Sequence, residues 1–162
     1  MAPLRIFLAD DHEIVRYGLR TLLEIRGEWM VVGEASDGAG AIEGVQSCEP
    51  DIAILDIGMP GIDGLTAARK ILASGRNVKI LILSLHDTKI VIRQVVDSGA
   101  KGFVLKSDAA RDLIAAVEAI QAGGTFFTPK TAEIILDRQL DRIQEEQTRS
   151  SSHKSHKKSP VQ

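Results

Sequence analysis

Two kinds of apolar pattern alternate along this chain. Short, nearly unbroken runs at residues 4–9, 30–35, 52–55, 79–83 and 102–105 are rich in Ile, Leu and Val. That is the composition expected of strands covered on both faces. Between these runs, apolar positions recur at helical spacing: Val15, Leu19, Leu22 and Leu23; Ile92, Val95 and Val96; Leu113, Val117 and Ile120. The Gly-rich piece 38–46 and the segment 65–73 continue the alternation less sharply. A strand–helix repeat of this kind predicts an α/β fold, a doubly wound five-stranded parallel sheet with right-handed crossovers and helices on both faces.

The pattern changes after residue 123. Gly123-Gly124 stops the fifth helix, and Pro129 suits the first turn of another. That last helix, read over 129–147, carries Leu136, Leu140 and Ile143 on one stripe, with Asp137, Arg138, Asp141 and Arg142 elsewhere. It is expected either to pack on a partner or to extend as a stalk. From Thr148 onward the chain reads TRSSSHKSHKKSPVQ. So little apolar surface cannot offset ordering, and residues 148–162 are predicted to form a disordered tail.

Charge sharpens this division. Of 20 Lys and Arg, four (Arg149, Lys154, Lys157, Lys158) lie in the tail and none of the 22 acids does, so residues 1–147 carry a net charge of −6 against −2 for the whole. One substantial domain over 1–128, a linker helix and a basic tail account for the 162 residues. The single cysteine, Cys48, has no disulfide partner and is read as a buried thiol. Neither a membrane helix nor a signal peptide is evident, so cytoplasmic location is the expectation.

In a parallel sheet every strand's C-terminal end opens on one edge, where ligands bind beside the point at which strand order reverses. Asp10-Asp11 follow the first strand, Asp56 the third and Ser84 the fourth, and the fifth ends at Lys106. If the strand order is 2-1-3-4-5, Asp10 and Asp11 come to lie beside Asp56. Clustered carboxylates raise one another's pKa unless a cation relieves them. Oxygen ligands of this kind suit Mg²⁺, whose shell is commonly completed by phosphate oxygens. Lys106 adds a positive charge and Ser84 a donor, a set suited to a phosphoryl group carried on a carboxylate. Each residue also has a plainer reading: Asp10 or Asp11 as the cap of the first helix, and Asp63-Gly64 as a turn and cap before the third.

Asp10-Asp11, LDIGMPGIDG, LILSLHD and KGFVLKSD resemble, in order and spacing, the four signatures of a response-regulator receiver domain of bacterial two-component systems. DDHEIVRYGL, EASDGAGAI and GAKGFVLKSD further resemble the NarL/FixJ (LuxR-type) family. The resemblance implies a flavodoxin-like fold and a phosphoryl group accepted on Asp56 from a sensor histidine kinase. It implies Mg²⁺ held by Asp11, Asp56 and the Gly58 carbonyl, with Asp10 acting through water. Lys106 and Ser84 would bind the phosphoryl group, Phe103 would take the aromatic switch position, and Gly58 and His86 would stand where side chains adjust phosphoryl lifetime. Such a chain is a phosphoacceptor that assists its own phosphorylation and dephosphorylation rather than an enzyme. It would form a homodimer on phosphorylation, and reach DNA only through a helix-turn-helix output domain that is absent here.

Three other readings compete. A metal-dependent phosphatase of the dehalogenase type would want Asp-x-Asp after its first strand, where this chain has adjacent acids. A nucleotide-binding loop is suggested by Gly38-Ala39-Gly40, but the spacing is G-x-G-x-x-x-G after the second strand, which reads as a flexible turn into a helix. The third is a stand-alone receiver acting through protein contacts without a DNA-binding partner, against which the linker-like C-terminal segment weighs a little.

Overall fold

The computed structural model describes residues 2–157. Five strands, β1 (Leu4–Ala9), β2 (Trp29–Ala35), β3 (Ile52–Asp56), β4 (Lys79–Ser84) and β5 (Gly102–Leu105), form one parallel sheet in the order β2-β1-β3-β4-β5. The helices are α1 (Glu13–Glu24), α2 (Gly38–Cys48), α3 (Gly64–Ala73), α4 (Lys89–Asp97), α5 (Ala109–Gln121) and α6 (Pro129–Lys157). Strand order is the doubly wound one expected. Boundaries move by single residues, with a consequence for the site: Asp56 and Ser84 are the last residues of their strands rather than the first beyond them. Asp56 is still in register with Leu83 of β4.

Successive side chains on each strand point to opposite faces, so the nearly unbroken apolar runs feed two cores. Phe7, Ala53, Leu55, Ile80, Ile82 and Phe103 pack beneath α2, α3 and α4. Ile6, Leu8, Ile54, Leu81, Leu83 and Val104 pack beneath α1 and α5. The helical faces read from spacing hold for Leu19, Leu23, Ile92, Val95, Leu113, Val117 and Ile120, all buried, while Val15 in the first turn of α1 is 37% exposed. Cys48 is half-buried rather than buried, with Sγ 3.5 Å from the Val32 carbonyl.

Two expectations need correction. The Gly-rich piece is the helix its place in the alternation suggested, α2, but without the flexible turn expected at its start: Asp37 caps it directly, its carboxylate accepting from the Gly40 N–H. Its glycines serve close approach, since a Cβ on Gly44 would fall 2.5 Å from the Phe7 ring. The last helix also does not stop at Gln147 but runs through Lys157, and only residues 158–162 of the predicted tail lie outside the described residues. Residues 148–151 are exposed, as composition indicated, but burial and helix are separate matters. No Gly or Pro occurs between Gln147 and Lys157, and Ser, Lys and His each cost at most about 0.7 kcal/mol against Ala in a helix. Among the described residues, no helix is long and apolar enough to cross a membrane.

Candidate functional site

Parallel strands bring the chemistry to their shared C-terminal edge. Asp10 follows β1, Asp56 ends β3, Ser84 ends β4, and Lys106 opens a 3₁₀ turn, Lys106–Asp108, after β5. Asp10 and Asp56 are both buried. Between them lies the Lys106 ammonium, 2.8 Å from Asp10 Oδ2 and 2.8 Å from Asp56 Oδ2. Its hydrogen bond is aligned on Asp56, leaving Asp10 Oδ2 with an ion-pair contact alone. Asp56 Oδ1 accepts from the Gly58 N–H at 3.2 Å.

Neither acid of the Asp10-Asp11 pair caps α1. The N-cap position is His12, whose side chain makes no capping bond, and Asp10 Oδ1 accepts from the His12 N–H at 2.8 Å. Asp63, in contrast, is the cap of α3 that its sequence suggested, accepting from the Thr66 N–H at 2.7 Å.

Burial drives the electrostatics. It pushes the Asp56 carboxyl above the ordinary carboxylate range, and the neighbouring Asp10 charge adds to this, against the hydrogen bond and charge of Lys106 and the Gly58 N–H. For Lys106, burial alone would lower the pKa, but the two carboxylates outweigh it and the net direction is upward. One ammonium thus shares two buried acids, with Asp11 on the rim beside them.

Donor atoms of Asp10, Asp11, His12 and Asp56 lie within 4.8 Å of one another. Three carboxylates against one ammonium leave two negative charges, the complement of a divalent cation, and hard oxygen donors fit Mg²⁺. His12 was missed by the sequence reading, although its position directly after the acid pair was the available signal. Its Nδ1 lies 3.1 Å from Asp11 Oδ1 and 3.4 Å from Asp10 Oδ1.

The remaining predicted residues divide. Gly58 is exposed, and a Cβ there would meet only Asp56 Oδ1, at 3.9 Å. Ser84 is buried at the edge, but its hydroxyl faces its own loop, donating to the His86 carbonyl at 2.8 Å and accepting from the His86 N–H at 3.0 Å. The structure does not join Ser84 to Asp56. His86 is exposed. Phe103 is turned inward, buried in the same cluster as Ile92, Val95 and Ile134.

Comparison with known proteins agrees with this edge. Residues 6–118 match the family described as Response regulator receiver domain. The transcriptional regulatory protein DegU of Brevibacillus brevis is 33% identical over 148 residues, covering 91% of this chain and 63% of that protein. The response regulator UvrY of Escherichia coli strain K12 is 35% identical over 147 residues, covering 91% of this chain and 66% of that protein. This chain therefore spans somewhat under two thirds of the length of these curated relatives. A two-component response regulator of the LuxR family from Aurantimonas sp. SI85-9A1 superposes with a TM-score of 0.78 at 36% identity, covering 85% of this chain and 99% of that one. The isolated REC domain of RcsB from Salmonella enterica serovar Typhimurium, solved in the presence of phosphomimetic BeF3-, does so with a TM-score of 0.75 at 30% identity, covering 82% and 98%. The chain belongs to the response-regulator receiver family, in its LuxR (NarL/FixJ) branch.

Proposed function

We propose that this chain is a phosphorylation-controlled switch in which Asp56 takes a phosphoryl group from the phosphohistidine of a sensor kinase, with Mg²⁺ held at the acid cluster. The observation that carries the reading is the placement of Asp56: a buried strand-end carboxylate, in ion-pair contact with Lys106, beside Asp10 and Asp11. A rigid strand end presents the acceptor oxygen without further ordering, and the negative charge of the transferring phosphoryl group is met by the nearby Lys106 ammonium. Asp10, Asp11 and Asp56 would hold Mg²⁺, which when bound supplies neutralising charge for phosphoryl oxygens.

An oxygen of Asp56 forms the new bond to phosphorus as the bond from histidine nitrogen breaks. Lys106, already 2.8 Å from Asp56, needs little movement to pair with a phosphoryl oxygen. Ser84 must turn from His86 to donate to another. The chain is a stoichiometric acceptor rather than a turnover enzyme, and its output is a change of association, a homodimer favoured by phosphorylation. DNA binding would belong to a helix-turn-helix output domain in a longer chain, for which this piece is the input.

Incubation with Mg²⁺ and acetyl phosphate tests the acceptor assignment by intact mass. One phosphate should be added to the wild type and none to Asp56→Asn. Undiminished labelling of the variant would remove Asp56 from the role.

A further inference from the structure

A second charged group stands beside the acid pair, and the phosphoryl chemistry does not use it. Arg16 lies in the first turn of α1, with its side chain only 19% exposed. Its Nη1 donates to the Asp10 backbone carbonyl at 2.7 Å, and its Nε donates to Glu34 Oε1 at 3.1 Å. Glu34 belongs to β2, in register with Leu8 of β1. The other Glu34 oxygen accepts from Arg20 Nη1 at 2.9 Å, and Arg20 Nε donates to Glu24 at 2.7 Å. Two arginines one helical turn apart thus grip a single carboxylate on the neighbouring strand.

The Asp10 carbonyl matters because of the peptide it belongs to. The Asp10 N–H donates to the Ala35 carbonyl at 3.0 Å, which carries the β1–β2 pairing one residue past the strand. Its carbonyl is half of the planar peptide that leads into Asp11, so holding that oxygen sets the plane from which the Asp11 backbone departs. Asp11 itself is exposed on the rim. Among the described residues its carboxylate pairs only with the exposed His12 ring, at 3.1 Å. A rim carboxylate with so little to hold its side chain takes its place from its backbone.

We propose that Arg16 is a positioning residue for the cation site: with Glu34 as its anchor, it locks the Asp10–Asp11 peptide between α1 and β2 and so keeps the Asp11 carboxylate beside Asp10 and Asp56. This role rests on the acid cluster being the Mg²⁺ site. Partners that orient metal ligands without touching the metal typically change its affinity about tenfold or more when removed. Charge alone acts in the opposite direction. Arg16 brings a positive charge close to the cluster, so its removal by itself favours a cation, whereas lost positioning disfavours one.

Mg²⁺ titration of the full chain, followed by calorimetry and by the amide NMR shifts of residues 10 and 11, separates the two. Arg16→Met keeps the aliphatic stem and removes the guanidinium, and it should weaken Mg²⁺ binding about tenfold. Arg16→Lys keeps the charge but loses the planar fork that spans both partners, and it should weaken binding about 1.5- to 5-fold. Glu34→Gln should give a loss of the same sign, and the Arg16→Met/Glu34→Gln double variant should match Arg16→Met alone, because Glu34 acts through Arg16. Urea midpoints without Mg²⁺ show which variants fold. A folded Arg16→Met that binds Mg²⁺ as tightly as the wild type, or more tightly, overturns the positioning role, since a purely structural or purely electrostatic residue behaves that way. If Arg16→Met does not fold, wild-type affinity in Arg16→Lys overturns it instead. Failure of the wild type itself to bind Mg²⁺ overturns the role together with the reading it rests on.

Discussion

Asp56 is held where water would not leave it. Because burial and Asp10 raise its pKa in the folded chain above that of the unfolded chain, its contribution to stability is whole below the ordinary carboxylate pKa. That contribution is lost as pH rises through the raised value. The Lys106 shift has the same sign at the alkaline end: its contribution is present below the ordinary lysine pKa and lost as pH rises through the higher folded value. Near neutral pH the Asp56 charge is therefore a net cost to folding. Asp56→Asn should raise the urea midpoint by an amount worth on the order of 1 kcal/mol. It should also flatten the decline of stability that sets in as pH rises through and above the ordinary carboxylate range. Asp10 remains to pair with Lys106 in the variant. Coincident urea midpoints for variant and wild type across that range would show that Lys106 fully offsets the burial.

The turn between β3 and α3 does more than connect them. Ile57 N–H donates to the Leu83 carbonyl at 3.0 Å, extending the strand pairing past the acceptor, and Gly64 N–H returns to the Ile57 carbonyl at 3.0 Å. Asp63 then caps α3. The closure brings the start of α3 directly against the acceptor's backbone: a Cβ on Gly64 would fall 2.1 Å from the Asp56 carbonyl oxygen. Gly64→Ala should therefore cost roughly 1–3 kcal/mol by overpacking and slow acetyl phosphate labelling, since relief requires moving Asp56 itself. Gly58→Ala is the control, with space for the methyl group, and should fold with wild-type stability. Denaturation midpoints of the two variants separate the cases. Equal behaviour would mean the loop gives way more easily than its hydrogen bonds suggest.

Across the whole molecule the two edges of the sheet are distinct. Trp29 opens β2 at the edge opposite the acid cluster, is 4% exposed, and has the Arg26 guanidinium 5.1 Å from its ring centroid. Metal binding among carboxylates at the far ends of β1 and β3 gives that ring no new neighbour. A Mg²⁺ titration should leave Trp29 emission within a few per cent of its starting intensity, on the order of baseline drift, because the ring sits at the opposite ends of the strands and its surroundings are unchanged. A large change would mean that the metal reorganises the whole sheet rather than its C-terminal edge.

Legibility in the sequence followed the range of the interactions. Apolar runs fixed by burial on both faces could be read directly, and with them the fold class, because strand and helix periods are local. Asp10, Asp11, Asp56 and Lys106 were legible since parallel strands must share an edge, so each residue's place in its own strand was enough. Only the tertiary structure decided how these groups meet. It put one ammonium between two buried acids and brought His12 into the donor set. It also turned the Ser84 hydroxyl away from the acceptor. His12 and the Ser84 hydroxyl are placed by backbone geometry one or two residues away, while residues far apart in the chain set the first of these outcomes. The same holds for α6. Its sequence stripe of Leu136, Leu140 and Ile143 announced an amphipathic helix, yet the face that docks is the other one, carried by Thr131, Ile134, Arg138 and Asp141. An ion pair is invisible until both partners have a position, and Arg93 and Asp97 acquire theirs only when α4 packs on the sheet.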